Sequence, residues 1–141
     1  MIARQGFKKV QIQGVEFRQM GQGGRMGHYP VHFHITRTTP PDTFVKDSSV
    51  NESMNRWYVI HATHDVTLAR NVGWKSIGHG YYLEDGDEID NNFYSNIGIF
   101  ARGAVDNPQD PRKVPGILSY NNRDRPGFPF RSDNEYPSVF W

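Results

Sequence analysis

The sequence predicts an all-β fold, a parallel β-helix in which short strands stack on their counterparts in the next coil. Residues 29–35 recur in altered form at 58–62 and 81–85, and the three segments align without gaps. A second repeat relates the turn at 71–73 (Asn-Val-Gly) to the turn at 96–98 (Asn-Ile-Gly), and the two repeats keep step. A period in the twenties, with β-branched and aromatic residues and no convincing helical stretch, is typical of a β-solenoid, here of about four rungs.

The alignment sorts side chains into columns that run along the stack. One column is apolar and consists of Phe33, Ile60 and Leu83. The neighbouring column consists of His34, His61 and Glu84. Because successive side chains of a strand point to opposite faces, an apolar column in the core predicts that the second column lies on the outer surface.

Two asparagines occupy equivalent turns. Asn71 and Asn96 each begin an Asn-x-Gly turn, so stacking would place one amide above the other. We expect their side chains to form a hydrogen-bonded ladder along the stack. Ordinary turn chemistry is the alternative, because asparagine tolerates the left-handed backbone conformation.

Length and composition limit the functional classes. The 141 residues form at most one domain, and 16 basic against 15 acidic residues leave a formal charge of +1. There is no basic arm that predicts a nucleic-acid partner, and no apolar run of membrane-spanning length. The absence of cysteine excludes a disulfide framework and thiolate-bound zinc. Residues 1–5 do not have the pattern of a signal peptide, so any export signal would lie outside this chain.

Composition divides the chain into three parts. Residues 1–100 carry the repeats and are predicted to form the rungs. Six of the nine prolines follow Phe100, which predicts that residues 101–136 form a Pro-rich loop along one side of the solenoid. Residues 137–141 have the pattern of a further, truncated strand. Since a solenoid needs capped ends, we expect the chain to be a fragment of a longer β-helix, with the rest of that β-helix as its partner.

The outward column predicts a metal site. Rungs stack at about 4.8 Å, so His34 and Glu84 would lie roughly 10 Å apart with His61 between them, and one ion could contact all three. Two imidazoles and a carboxylate suit Zn²⁺, Mn²⁺ or Fe²⁺ better than Ca²⁺, which prefers oxygen ligands. His32 shares this face and His79 precedes the Glu84 strand, so each is a candidate further ligand or acid–base group. The alternative is that these are hydrogen-bonded surface residues.

An acidic run at 84–90 supplies candidate catalytic carboxylates. Glycosidic hydrolysis usually needs two carboxyl groups, about 5 Å or about 6.5–9.5 Å apart according to the stereochemistry. Glu84 and Asp87, across the turn, are the better candidate pair, whereas alternation assigns Asp85 to the inward face or to the strand end. A solvated acidic turn is the alternative for the run as a whole.

Other side chains suit an acidic sugar. The candidates that would pair with a carboxylate are Arg56, Arg70 and Arg102. The candidates that would stack on a pyranose ring are Trp57, Tyr58, Trp74 and Tyr82. For each aromatic ring the alternative is packing against the next rung. No cysteine and no Gly-x-Ser-x-Gly motif supports a cysteine or serine nucleophile.

Several motifs, taken in order, resemble a known family. They are Tyr-Pro-Val-His-Phe-His at 29–34, Asp-Ser-Ser-Val at 47–50, Asn-Val-Gly-Trp at 71–74, Gly-His-Gly at 78–80 and Tyr-Leu-Glu-Asp-Gly at 82–86. This set is similar to the β-helix region of the cell-surface hyaluronidase family. That family includes the cell-migration-inducing, hyaluronan-binding proteins, the fibrocystin-like proteins and microbial proteins that carry a G8 domain. Gly80 differs, since vertebrate relatives usually have cysteine there, and no G8 domain precedes the repeats.

The resemblance implies a right-handed parallel β-helix, extracellular or at the cell surface, with Ca²⁺-dependent hyaluronan cleavage in some members. The leading hypothesis is therefore a β-helix that binds or depolymerises an acidic polysaccharide such as hyaluronan, in the second case as a metal-dependent glycoside hydrolase. The alternative is a non-catalytic adhesion or surface-interaction module whose histidine column is structural. A third hypothesis is that the open ends of a truncated solenoid make the chain prone to association.

Overall fold

A computed structural model describes residues 1–23, 25–103 and 137–141. These residues form twelve short strands and no helix. The strands are β1 (Ile2–Arg4), β2 (Gln11–Gln13), β3 (Glu16–Arg18), β4 (Val31–Thr38), β5 (Phe44–Lys46), β6 (Ser49–Asn51), β7 (Tyr58–His64), β8 (Thr67–Ala69), β9 (Val72–Ile77), β10 (Tyr81–Leu83), β11 (Asn92–Tyr94) and β12 (Ile97–Arg102).

Every third strand belongs to the same sheet. The first sheet has the order β1-β4-β7-β10, the second β2-β5-β8-β11 and the third β3-β6-β9-β12. All pairs are parallel, and each coil contributes one strand to each sheet. The described residues are thus a parallel β-helix of four coils, which confirms the predicted fold class.

The register of the first sheet confirms the predicted columns. Phe33 pairs with Ile60, and Ile60 pairs with Leu83. His34 pairs with His61, one residue further along the same strands. Residues 2–4 form the first strand and pair with β4.

The interior is filled by an apolar stack around Trp57, which is fully buried. A Cβ added at Gly73 would lie 2.2 Å from the indole, and one added at Gly80 would lie 2.4 Å from it. At Gly98 an added Cβ would approach the same ring at 2.7 Å and Val139 at 2.2 Å. Glycine at these positions therefore makes room for one large ring in the core.

The predicted asparagine ladder is confirmed. The side-chain amide of Asn71 donates to Oδ1 of Asn96 at 3.1 Å and to the Val45 carbonyl at 2.9 Å. Its Oδ1 accepts the Ser48 backbone N–H at 3.1 Å. Because Asn71 is fully buried, these bonds satisfy the polar groups that the turn brings into the interior.

Residues 138–141 lie along the free edge of β10. A parallel bridge joins Tyr81 to Phe140, and their rings stack with centroids 4.8 Å apart. On the other side of Tyr81 the Tyr58 ring stacks at 5.0 Å, which gives an aromatic ladder through three coils. The predicted Pro-rich loop at 101–136 lies outside the described residues from position 104 onward. Within the part of the chain that is described, no helix is long and apolar enough to cross a membrane.

Candidate functional site

The candidate site lies on the outer face of the first sheet, where pairing of β4 with β7 sets His34 beside His61. The two Nδ1 atoms are 3.2 Å apart and both residues are half-buried. Directly after them, Ile35 (φ 52°) and Ala62 (φ 44°) adopt left-handed backbone. The backbone thus departs from regular strand geometry where the two imidazoles converge, as at a bulge that redirects side chains.

His32 lies on the same face but is covered by the loop that precedes β4. Its exposed fraction is 2%, and its Nδ1 is 2.8 Å from the carbonyl oxygen of Gly27. Because a carbonyl only accepts, Nδ1 carries the proton and Nε2 keeps its lone pair. The buried Nε2 has no hydrogen-bond partner among the described residues. One nitrogen from each of His32, His34 and His61 lies within 4.8 Å of the others, and we call these three the histidine cluster.

Glu84 follows His61 in the column but lies at the edge of this cluster. Its Oε2 is 3.8 Å from Nδ1 of His61 and 3.9 Å from Nη1 of Arg56. The side chains that converge are therefore those of His32, His34 and His61. The sequence predicted His34, His61 and Glu84 instead. The carboxylate of Glu84 is instead shared between an imidazole and a guanidinium.

Arg56 is buried and does not lie on the surface where a sugar would bind. It is 2% exposed, its guanidinium lies 3.8 Å from the Tyr82 ring centroid, and Nη1 donates to the Tyr29 hydroxyl at 2.8 Å. This position removes Arg56 from the side chains that contact a sugar directly. Its positive charge lies 3.9 Å from the Glu84 carboxylate and orients that group.

Asp85 faces out at the strand end. It is exposed, and its Oδ2 lies 3.3 Å from Nε2 of His61. The carboxylate favours the tautomer of His61 with the proton on Nε2, which leaves Nδ1 with a lone pair directed at His34. Alternation assigned Asp85 to the inward face or to the strand end, and the structure places it at the strand end, where its contact with His61 was not predicted.

Glu88 closes the acidic turn. Its Oε1 accepts the backbone N–H of Asp85 at 2.9 Å and of Ala62 at 3.0 Å, and its Oε2 accepts that of Gly86 at 2.8 Å. Burial raises the pKa of Glu88, but these backbone donors outweigh burial and hold the pKa below its usual value. Asp87 is exposed on this turn, and one oxygen from each of Asp85, Asp87 and Glu88 lies within 4.8 Å of the others.

His32 and His34 are held in their neutral form. Burial lowers the pKa of His32 to about 3, helped by the nearby imidazoles of His34 and His61. Partial burial lowers the pKa of His34, and the charges of His61 and Arg4 add to the effect. Neutral imidazole is the form that binds a metal ion, so these two residues do not need to release a proton at neutral pH.

A pocket of about 210 Å³ opens beside the cluster. It is lined by Ile2, Arg4, Met26, Gly27, His28, His32 and His34. Arg4 pairs with His34 in the register of β1 and β4, so it extends the outward column by one coil. Extending the alignment to the first residues would have found it, because Ala3 falls beneath Phe33.

The remaining predicted site residues lie elsewhere. His79 is fully buried, its Nδ1 accepts the Ser138 N–H at 3.0 Å, and its ring lies 4.5 Å from that of Trp141. Arg70 pairs with Asp47 at 2.6 Å on the turn between β8 and β9. These side chains are not brought to the histidine cluster.

The aromatic candidates divide between core and surface. Trp57 and Tyr58 are fully buried, so they pack against other coils and cannot stack on a sugar. Trp74 is 38% exposed on the third sheet, where its ring lies 6.1 Å from that of Phe100. Tyr82 is half-buried near Glu84 and also stacks with His79 at 5.3 Å.

Comparison with known proteins identifies the family of this β-helix. The family model described as CEMIP beta-helix matches residues 1–141, the whole chain. The chain belongs to the CEMIP β-helix family. This confirms the resemblance drawn from the motifs at 29–34 and 82–86. No solved structure gives a significant match.

Relatives of the CEMIP β-helix come from slime mould and mammals. Communication mutant protein F of Dictyostelium discoideum is 44% identical over 93 residues, which cover 66% of this chain and 8% of that protein. A G8 domain-containing protein of the same organism is 43% identical over 91 residues, 64% of this chain and 6% of that protein. The human cell migration-inducing and hyaluronan-binding protein is 31% identical over 144 residues, 96% of this chain and 10% of that protein. The chain thus spans about a tenth or less of the length of these relatives.

Proposed function

We propose that this β-helix acts outside the cell on an acidic polysaccharide such as hyaluronan, which it binds on the outer face of the first sheet. The observation that carries the proposal is the outward column of Arg4, His34, His61 and Glu84, which lies next to an open pocket. The human relative that aligns with 96% of the chain is named as a hyaluronan-binding protein, which supports the substrate class.

Arg4 is the side chain proposed to recognise the acidic sugar. It is exposed at the pocket and is the cation nearest in register to His34. A guanidinium offers paired N–H donors that match the two oxygens of a uronic acid carboxylate. His28 lines the same pocket and provides a further polar group for sugar hydroxyls.

Depolymerisation is the finer part of the proposal and assigns proton transfer to the acidic turn. Glu84, oriented by Arg56, and the exposed Asp87 are the carboxylates proposed to exchange protons with the glycosidic oxygen and with water. A divalent ion on the histidine face would supply a Lewis acid or an activated water when bound. His79 is excluded from this role because it is buried beneath Trp141.

A non-catalytic adhesion module is the second candidate function. It is favoured by the engagement of Glu84, whose carboxylate is already paired with the buried Arg56 and with His61. In this alternative the outward column binds polysaccharide and leaves its glycosidic bonds intact.

The proposal is tested by binding of the 141-residue chain to hyaluronan of defined length, followed by sizing of the polymer with and without chelator. Arg4→Gln is expected to weaken binding several-fold, whereas Arg18→Gln, an exposed arginine on the third sheet, serves as the matched control and leaves binding unchanged. Binding without a change in polymer size would favour the adhesion module. Absence of binding, or equal loss in both variants, would contradict the proposed surface.

A further inference from the structure

The histidine cluster has the geometry of a metal site without help from Glu84. Two ligands bound tetrahedrally at about 2.0–2.1 Å from Zn²⁺ lie about 3.3 Å from each other. The Nδ1 atoms of His34 and His61 are 3.2 Å apart. One ring nitrogen from each of His32, His34 and His61 lies within 4.8 Å of the other two. Two of the imidazoles therefore lie at the spacing of zinc ligands, and the third, from His32 on the same strand as His34, lies within 4.8 Å of them.

The nitrogen of His32 that does not bind Gly27 is an independent sign of a ligand. His32 is 2% exposed, and its Nε2 is buried without a hydrogen-bond partner in the described structure. A buried polar atom that loses its water costs free energy unless a partner replaces it. A metal ion is the partner that would use the lone pair on Nε2, because Nδ1 already donates to the Gly27 carbonyl.

The polar groups around the cluster orient two of its rings for metal binding. Metal-bound histidines usually donate their second ring N–H to a carbonyl or a carboxylate, which fixes the tautomer. His32 has the Gly27 carbonyl in that position at 2.8 Å, and His61 has the Asp85 carboxylate at 3.3 Å. In both rings the remaining nitrogen is the one that carries the lone pair.

We infer that His32, His34 and His61 are the three protein ligands of a zinc-class divalent ion, with coordination positions left open. The expected ligand atoms are Nε2 of His32 and Nδ1 of His34 and of His61. This inference adds an ion and its ligands to the proposed function. The ligands are argued from geometry, and only the role of the ion rests on the proposed function. Three neutral nitrogens select Zn²⁺ or a similar transition metal over Ca²⁺, which requires six to eight oxygens.

The inferred site shares residues with the pocket that contains Arg4. His32 and His34 line that pocket, so a ligand bound there would lie next to the ion. Three protein ligands with an open fourth position are the usual arrangement of catalytic rather than structural zinc. The site is therefore placed to bind a carboxylate or hydroxyl oxygen of a sugar held by Arg4.

The experiment is a titration of the metal-free 141-residue chain with Zn²⁺ and separately with Ca²⁺, followed by calorimetry and by metal analysis after desalting. We expect one Zn²⁺ per chain, removed by chelator and not displaced by Ca²⁺. Co²⁺ in place of Zn²⁺ is expected to give visible absorption typical of tetrahedral nitrogen ligation. A chain that binds no Zn²⁺, or binds Ca²⁺ equally well, would overturn the inference.

Variants separate the inferred ligands from the column predicted by sequence. His34→Gln, at a half-buried position, is expected to weaken Zn²⁺ binding by more than about 100-fold, while Glu84→Gln is expected to leave it within a few-fold. His64→Gln is the matched control, since His64 is a half-buried histidine on the same strand as His61. Circular dichroism checks that each variant folds, and His32→Ala is included where it does. Equal losses of Zn²⁺ affinity in the Glu84 and His34 variants would support ligation by His34, His61 and Glu84 and would reject the inferred ligand set.

Hyaluronan binding measured on the same samples distinguishes the two proposals. Binding of polysaccharide by a chain that takes up no Zn²⁺ would reject the ion and leave the proposed function standing. Binding of Zn²⁺ by a chain that does not bind hyaluronan would support the inferred metal site and reject the proposed substrate class.

Discussion

Nδ1 of His34 lies 3.2 Å from Nδ1 of His61, although 27 residues separate them in the chain. One complete coil of the β-helix joins the two positions, and parallel pairing of β4 with β7 places them side by side. The buried His32 lies two residues before His34 on β4, and alternation puts both side chains on one face of the strand. A chemical site is thus built from neighbouring coils.

Asp85→Asn is expected to lower Zn²⁺ affinity about 10–100-fold while one ion per chain is still bound. The reason is that the Asp85 carboxylate fixes the tautomer of His61 and raises the basicity of its ligating nitrogen. Calorimetric titration with Zn²⁺ measures the change. Asp87→Asn, on the same acidic turn, is the control, and an equal effect of both variants would point to a general loss of negative charge.

Gly73→Ala is expected to destabilise the fold by about 1–3 kcal/mol, because the added Cβ would lie 2.2 Å from the Trp57 indole in a packed core. Urea denaturation measures the free energy of unfolding. In the Trp57→Leu background the same substitution should cost much less, because the smaller side chain leaves room for a methyl group. Additive effects of the two substitutions would show that the clash does not occur.

Asn71→Ala is expected to cost about 2–4 kcal/mol of stability, since it removes the side-chain hydrogen bonds to the Ser48 N–H and the Val45 carbonyl in the interior. Asn92→Ala is the control, because Asn92 is exposed and its loss should stay within about 0.5 kcal/mol. The comparison uses urea denaturation at neutral pH. Similar costs at both positions would rule out a special contribution of the asparagine ladder.

Glu88→Gln is expected to reduce stability by about 1–2 kcal/mol at pH 7, because backbone N–H groups bind a carboxylate more strongly than a neutral amide. The pKa of Glu88 is lower in the folded than in the unfolded chain, so its stabilising contribution is present above the unfolded pKa. That contribution is lost as the pH falls through the folded pKa. Urea denaturation over a pH series should therefore show the wild-type and variant stabilities converging in acid, and a constant difference would contradict the assignment.

The fold and the column register were predictable because both follow from the repeat period. A parallel β-helix pairs each strand with its copy one coil later, so aligning Phe33, Ile60 and Leu83 is equivalent to stating their strand pairing. The asparagine ladder was predictable for the same reason. Arg4 lies in the same column one coil before His34, but the three aligned segments did not include residues 2–4.

The roles of single side chains within the columns were not predictable. Burial of Arg56 beneath Tyr82, and its pairing with Glu84, depend on rotamers and on the residues packed around them. His79 looked accessible in the sequence, but residues 138–141 return to cover it after a separation of 59 residues.

By itself, the sequence determined the solenoid, its coil length and the line of polar groups along one outer face. The reason is that each strand of a periodic sequence pairs with its copy one coil later. The tertiary structure alone decided which of those groups converge. A loop carrying Gly27 folds over His32 and orients it, while a buried guanidinium draws Glu84 to the edge of the cluster. Loop closure and side-chain packing depend on contacts between distant residues, which no repeat period encodes.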